Sequence, residues 1–523
     1  MNKLLERLGG KLKGMLQGFD RIVFKGYIQP LLYPAGAMSF CRGRGILNKE
    51  YKDWMLGKSQ QIVKDAEEYV RQECGEQLSS LATYKIRKEE VAHAQQDRLQ
   101  IQSGLIGGWS CVESCRSYRA RYDAQAGYPQ LSPYATRCKH IYFYLDHSDY
   151  GFMSLRLQTW FPYSIQIALN GREWLRRSLQ KEGIEAVFCG NKLYDVGNLE
   201  RAQQLLTAQL DTRWVELLNG FVPIIFPSMN QIVEPFSYTW TLWQSEWATD
   251  LLLPIEVFEH LSDPLLRHAW LTGSSQRVLR YMGKSQKGSG WPAANARPEL
   301  KSRCQPFYEG LCVRHWWNQN SIKMYNEQHG QTGVIRMEVT MNNPGAFQVH
   351  RHKQGQSKQE AKQLLPMRKG IADIALRAEV SKQITDRFAD QQASFRDQRP
   401  LHELIDQVTR RFSKDGRKVR ALDLFGKDRE LLLSISDPTF CIDGMTNKQL
   451  REKMKNTPWA KGKTDKQRAG KVTRQLRLLR DHGLLCKVKK QNRYMLTEKG
   501  KLITTALGTI LSASIDQLVE KAA

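Results

Sequence analysis

The sequence predicts an α+β protein: a large mixed body of helices and antiparallel sheet, followed by a small basic helix–helix–hairpin domain. Three observations predict it. Between residues 141 and 169, short apolar runs are separated by turns, the pattern of antiparallel strands. Residues 49–76 and 199–218 run with few breakers, as helices do. Residues 444–523 hold 19 Lys/Arg against 6 Asp/Glu, a net +13 of the chain's +26.

The elements follow in order. Residues 21–29 (RIVFKGYIQ) read as a strand and 49–76 as a long helix. Residues 100–140 are rich in turn formers and cysteines. Ile141, Phe143 and Leu145 then alternate onto one face, a turn follows at 147–151, and 152–161 and 164–169 are two further strands. Asn170 is placed to cap a helix over 171–182. Residues 236–252 (FSYTWTLWQSEWATDLL starts there) are aromatic-rich and extended at first, and 311–325 and 334–341 form a second strand-rich stretch. Residues 283–303 and 351–370 have loop composition, and helices return over 371–395. The expected organisation is a mainly helical region (1–100), an α+β domain (101–283), a strand-rich then helical basic domain (284–400) and a C-terminal domain (401–523).

Composition narrows the function. Hydrophobic residues at 41% and aromatics at 10% suffice for packed cores, which excludes a disordered chain. A pI near 9.6 points to a polyanionic partner, by default nucleic acid. There is no apolar run long enough to span a bilayer and no secretory leader pattern, so no membrane partner is expected. Ten cysteines at irregular spacing fit a reducing, cytoplasmic setting better than a disulfide framework. P-loop, HExxH, GxSxG and kinase signatures are all missing, which argues against nucleotide hydrolysis.

In the basic tail, TNKQLREKM (446–454) carries a capping-box spacing between Thr446 and Gln449. Residues 468–484 read as a second helix with Val472, Leu476 and Leu479 on one face and Lys471, Arg474 and Arg477 on others, ended by Gly483. Two short strands flank the basic tip at 490–492, with Lys487, Lys489, Lys490 and Arg493 close together. A helix of this kind fits the major groove, where arginines reach base edges and phosphates, and a basic hairpin tip adds phosphate contacts. RQLRLLRDHGLLCKVKKQNRYMLTEKGK resembles the winged-helix domain of MarR-type regulators, which implies DNA binding by the tail.

Two site hypotheses concern the body. Cys111, Cys115, Cys138 and His140 form C-x3-C-x22-C-x-H, thiolates and an imidazole suited to a structural Zn²⁺; the alternative is four independent residues, the thiols packed as small hydrophobes. Asp146, Glu246, Asp250 and Glu338 are the candidates for Mg²⁺-dependent phosphodiester chemistry, which needs several carboxylates on one ion. Asp146 ends an apolar strand, as a metal ligand does in ribonuclease-H-like nucleases. Glu246 and Asp250 share a face if QSEWATD is helical, and Glu338 sits in VIRMEVTM. The alternative for each is an acid on a solvated face or in a salt bridge. Lys323–Met341 also loosely resembles the tyrosine segment of rolling-circle replication initiators, with Tyr325 and Glu338 at the matching positions.

Strings close to LRLQTWFPYSIQIALNGREWL, QSEWATD and TRQLRLLRDHGL mark the chain as similar to an uncharacterised bacterial family of mobile-element type. The resemblance and the residues together predict a nucleic-acid-processing protein: a metal-dependent nuclease, transposase or replication initiator with a DNA-binding tail. The alternative is a non-catalytic DNA- or RNA-binding protein, either a regulator or the partner of a structured or guide RNA.

Overall fold

The computed structural model describes residues 2–514 except 82–85, 226, 235–236, 272–274, 284–300, 308–309, 354, 358, 395–400, 438–439, 441–443, 463 and 489–490. Two units emerge, each drawn from separate stretches of chain. One comprises Leu16–Asp250 and Thr340–Lys382; the other comprises Met1–Met15, Leu251–Val339 and Gln383–Ala523. They cut across the four consecutive segments expected from composition. Helices and antiparallel sheet are both abundant, as an α+β fold requires.

The first unit is built on a sheet of β1 (Gly14–Ile28), β2 (Ser79–Ser80), β3 (Gly104–Asp123), β4 (Tyr128–His147), β5 (Gly151–Gln158), β6 (Ile165–Asn170) and β9 (Tyr238–Pro254). Their order across the sheet is β9-β1-β6-β5-β4-β3-β2. From β1 to β3 the neighbours pair antiparallel, and β2 runs parallel to β3. Alternation sends one set of side chains to the core: Ile22 and Phe24, Ile165 and Ile167, Leu155 and Leu157, and the expected trio Ile141, Phe143 and Leu145. Helix α3 (Tyr51–Cys74) contributes Met55, Ile62, Ala66 and Val70 to that core, and α7 (Trp214–Ile225) contributes Trp214 and Leu218. Trp240 lies across Gly26, where a Cβ would come within 2.7 Å of its ring, so only glycine fits there.

The turn-rich look of residues 100–140 proves misleading. They form most of the long hairpin β3–β4. The glycines there are packing features rather than loop formers: a Cβ on Gly108 would sit 2.5 Å from Val70 of α3. On the other face of the sheet, α4 (Lys88–Leu99) packs Ala92 with Ile106, Trp109 and Tyr144. At the end of β6, the Asn170 side chain accepts from the amides of Arg172 and Glu173 and starts α5 (Gly171–Lys181), as its sequence position predicts. A smaller cluster joins α5, α6 (Leu199–Ala208) and the hairpin of β7 (Ala186–Cys189) with β8 (Lys192–Val196). The helix read over 199–218 is interrupted: Gln209, fully buried, turns to donate to the Gly171 carbonyl at 3.3 Å. Strand β9 is extended throughout, so QSEWATD is not helical. The basic stretch 351–370 contains the return strand of a small hairpin, β14 (Gln348–Arg351) with β15 (Gln363–Pro366).

The second unit contains α1 (Asn2–Leu8), α9 (Ile255–Leu271), α10 (Ser275–Tyr281) and, before its C-terminal helices, a run of adjacent strands. These are β10 (Lys301–Phe307), β11 (Gly310–Trp317), β12 (Asn320–His329) and β13 (Thr332–Met341), adjacent in that order. Most of α11 (Ile374–Ser394) follows, as expected from sequence. His315 is sealed here between Tyr281 and Phe388, with Nε2 3.3 Å from the Ala269 carbonyl. The C-terminal helices have their own core, in which Leu431, Leu450, Val472, Leu476, Leu479, Ile503 and others meet.

Burial holds the His315 imidazole neutral and lowers its pKa to about 4. The unfolded chain binds that proton near pH 6.5, so the unfolded state carries more protons between the two values. The stability of this unit is therefore complete above pH 6.5 and is lost as pH falls toward 4, at about 1.4 kcal/mol per pH unit from this group. Chemical denaturation followed across that window should show the decline, and His315→Gln should flatten it.

Candidate nucleic-acid interface

The C-terminal residues assemble as their spacing predicts. Thr446 and Gln449 form a reciprocal capping box on α14 (Asn447–Lys453), and Thr464 with Gln467 forms a second one on α15 (Asp465–Asp481). The first was legible in the sequence; the second places the helix start three residues earlier than expected. Asn447 ties the two helices, donating to the Ala469 carbonyl at 3.0 Å and the Thr473 hydroxyl at 2.9 Å. Gly483 adopts φ +75° and stops the helix, as its position suggests. Strands β18 (Leu485–Lys487) and β19 (Tyr494–Leu496) pair antiparallel, and Met445 bridges to Tyr494, so the hairpin is anchored to the start of α14. Helix α16 (Glu498–Ser512) follows and sends Ile503 and Leu507 into the same core.

Helix α15 is two-faced. Val472, Leu476 and Leu479 are buried, whereas Arg474 and Arg477 are exposed. Sequence reasoning missed Lys466 and Arg480, which are exposed on the same helix; the three-residue spacing of Arg474, Arg477 and Arg480 was the available signal. Lys471 is half-buried, its ammonium 4.7 Å from the centre of the Trp459 ring, and Trp459 in turn donates to Gln475 at 3.1 Å. Lys487 is exposed and Arg493 half-buried on the hairpin, while Lys489 and Lys490 lie outside the described residues.

The thiol–imidazole set lies on the β3–β4 hairpin. Cys111 is the cross-strand partner of His140, and Glu113 that of Cys138. Cys138 Sγ stands 4.0 Å from His140 Nδ1, and Cys115 is hydrogen-bonded to Cys138. The hydrogen bond from Cys138 pulls the Cys115 thiol down, while Cys138 itself is pushed up by that bond and by burial. Cys138 thus neighbours both Cys115 and His140, whereas Cys115, whose cross-strand partner is Thr136, stands four strand positions along the hairpin from the Cys111–His140 pair. Cys111 is not near Cys115: four residues of extended strand separate their Cα atoms by about 13 Å, beyond what one tetrahedral ion spans. Among the described residues, no three His, Cys, Asp or Glu side chains stand close enough to hold a metal ion. Glu113 occupies the middle of this face. Burial alone would raise its pKa, but hydrogen bonds from Tyr142 at 2.7 Å and Lys88 at 3.0 Å, with Arg156 at 2.8 Å, bring it to about 2.

The four carboxylates singled out for metal chemistry are all engaged. Asp250 pairs with Arg172 at 3.0 Å, with no solvent exposure of either side chain. Asp146 accepts from Arg177 at 2.6 Å and from Gln96 at 3.1 Å. Glu246, half-buried, accepts from Gln244 at 3.3 Å. Glu338, in the other unit, pairs with Lys323 at 2.7 Å, faces Arg336 at 3.7 Å, and accepts from the Tyr325 hydroxyl at 3.3 Å. The structure therefore brings Tyr325 and Glu338 together on adjacent strands. His350 of the HRH triplet is exposed on β14, while His315 and Trp317 of the RHWW string are buried. No described helix is long and apolar enough to cross a membrane.

Comparison with known protein families, with characterised proteins and with solved structures yields no match.

The sealed pair has a measurable consequence. Asp250→Ala leaves the Arg172 guanidinium buried without its counter-charge, at a cost of about 3–5 kcal/mol. Urea denaturation should show that loss, and the double variant Arg172→Met with Asp250→Leu should recover most of it, because two apolar side chains leave no charge uncompensated.

Proposed function

We propose that this chain is a nucleic-acid-binding protein and that its C-terminal domain is a winged helix that seats α15 in the major groove of DNA. The observation that carries the reading is the division of α15. Its apolar side is buried in the domain core, and Arg474, Arg477 and Arg480 stand exposed along the other. A helix held in this way offers a rigid row of guanidinium groups of the width the major groove admits. The exposed Lys487 beside it adds a phosphate contact from the hairpin, which positions without reading sequence.

The state of the carboxylates supports binding over strand cleavage. A hydrated Mg²⁺ needs ligands that water and substrate can reach. Asp250 has no solvent exposure and is matched to Arg172, and Asp146 and Glu338 each face a cation of their own. These pairings favour a non-catalytic protein that binds DNA, as of a mobile element or replicon, or a structured RNA.

Fluorescence anisotropy of the full chain on labelled duplex DNA tests this. The affinity should fall steeply with salt, and Arg474→Ala with Arg477→Ala should lower the log–log salt slope by roughly 1.8, about 0.9 for each lost phosphate contact. An unchanged slope and affinity would remove α15 from the interface. Mg²⁺-dependent cleavage of the same DNA, abolished by Glu246→Ala, would return the protein to the nucleases.

A further inference from the structure

The sheet of the first unit carries a second basic surface that the C-terminal reading does not use. Its geometry follows from strand register. Lys25 of β1 is paired with Gln166 of β6, Gln166 with Arg156 of β5, and Arg156 with Tyr142 of β4. These four form one row across the sheet, on the face opposite Phe24 and Ile167 of the core. At the β1 end stands Trp243 of β9, 38% exposed, although its neighbours Trp240 and Trp247 on the same strand are buried. The segment after β15 brings in another cation: Leu242 donates its amide to the Lys369 carbonyl at 2.7 Å, and Thr241 bridges to Gly370. Lys369 Nζ lies 3.8 Å from the centre of the Trp243 ring and Lys25 Nζ 4.7 Å from it.

The charges here are arranged against folding. Lys25 is partly desolvated and faces Arg156 and Lys369, all of which lower its pKa, burial most. Lys369 is lowered by burial and then by Arg377. Neither ammonium has a carboxylate partner among the described residues; Arg377, buried nearby, donates to the Leu242 carbonyl at 2.9 Å and has Asp373 as its acid. Glu113, an acid of this face, is already engaged by Lys88, Tyr142 and Arg156, and Glu89 is paired with Arg21. Crowded cations without counter-charge destabilise a fold, and an arriving anion relieves them.

We propose that this face binds single-stranded nucleic acid, with Lys25 and Lys369 on a phosphate and Trp243 as the platform for the adjoining base. The ring favours an unpaired base because a duplex has no free base face to offer, and because stacking on an aromatic is tolerant of sequence. The lysines cover the ring only through cation–π contacts, which are weak at an exposed site beside charge-assisted bonds to phosphate. A phosphate therefore draws them off the ring as the base arrives. The inference stands on a different unit from α15 and does not depend on duplex binding by the tail.

The test uses the full chain with a labelled 20-residue oligothymidylate, and a labelled duplex in parallel. Trp243→Ala should weaken oligothymidylate binding by about 5- to 100-fold, the range of one stacked base, and leave the duplex affinity within about twofold. Lys369→Gln should lower the single-strand salt slope by about 0.7, the value of one phosphate contact. Lys25→Gln should weaken single-strand binding while the midpoint of thermal unfolding stays level or rises, an outcome that a structural lysine would not give. The proposal is overturned if Trp243→Ala binds the oligomer as the parent does. It is equally overturned if polyglutamate displaces the oligomer as well as unlabelled oligothymidylate does, since the face would then be a general anion patch. Failure of the α15 reading is seen separately, on the duplex and in the Arg474 and Arg477 variants.

Discussion

Three consecutive residues, Asn170, Gly171 and Arg172, fix the geometry on which the sheet unit depends. Asn170 ends β6 and caps α5. At Gly171 an added Cβ would lie 2.3 Å from the Phe19 carbonyl, so β1 and the start of the helix approach as closely as backbone allows. Arg172 then reaches into the protein, donates to the Ala248 carbonyl at 3.1 Å and meets Asp250 out of water. The capped junction is thereby tied to β1 on one side and β9 on the other. An ion pair with no solvent exposure is a poor source of net stability, because desolvation offsets much of its attraction. It is a strong source of definition. A shift of α5 that separated the charges would strand both, whereas an apolar contact would tolerate sliding.

That definition matters for the opposite face of the same sheet. In β1, Ile22 and Phe24 go to the core, so Lys25 is directed to the other side. In β5, Leu155 and Leu157 are buried and Arg156 lies between them. The row from Lys25 to Tyr142 is therefore a consequence of how the core residues are phased, since a slip of one residue would bury the cations and expose the core. Helix α4 covers one end of this polar face through Lys88, Ala92 and Gln96. The other end, at Lys25, Trp243 and Lys369, keeps an exposed aromatic among positive charges.

Local signals were legible in the sequence wherever the physics is local. The Thr446–Gln449 box, the Asn170 cap, the Gly483 stop and the alternation of Ile141, Phe143 and Leu145 each depend on residues within a few positions of one another. The hairpin of β3 and β4 was obscured because its glycines and cysteines have loop composition, and their purpose, admitting α3 at Gly108, is set by a partner nearly 40 residues earlier. Likewise, QSEWATD suggested a helical face because Glu246 and Asp250 are four apart, yet aromatic and β-branched neighbours hold it as a strand. Long-range charge pairing was the least visible. Nothing near Asp250 in sequence announces Arg172, and nothing near Trp243 announces Lys25 or Lys369. The set Cys111, Cys115, Cys138 and His140 shows the same limit from the other side: spacing suggested a common centre, and extended strands spread the four along the hairpin, with Cys138 beside both Cys115 and His140 and Cys111 across from His140.

The chain's positive charge is thus held in two physical forms. On α15 the arginines are solvent-exposed and lose little by folding, and in the proposed reading they would act on a polyanion mainly through release of its counterions, an effect weakened by salt. Around Trp243 the ammonium groups are partly desolvated and crowded, so they carry a standing cost in the folded state. Their interaction with an anion is shorter in range and less screened, because fewer waters and ions stand between the charges. Exposed cations suit capture of a duplex from a distance, and half-buried cations beside an aromatic suit discrimination once contact is made. A protein that needed only non-specific affinity could place all its lysines in water, where none would oppose folding. The placing of Lys25 among Arg156 and Lys369, partly out of water and beside an exposed aromatic, is the feature that general basicity does not explain and that the proposed anion site would.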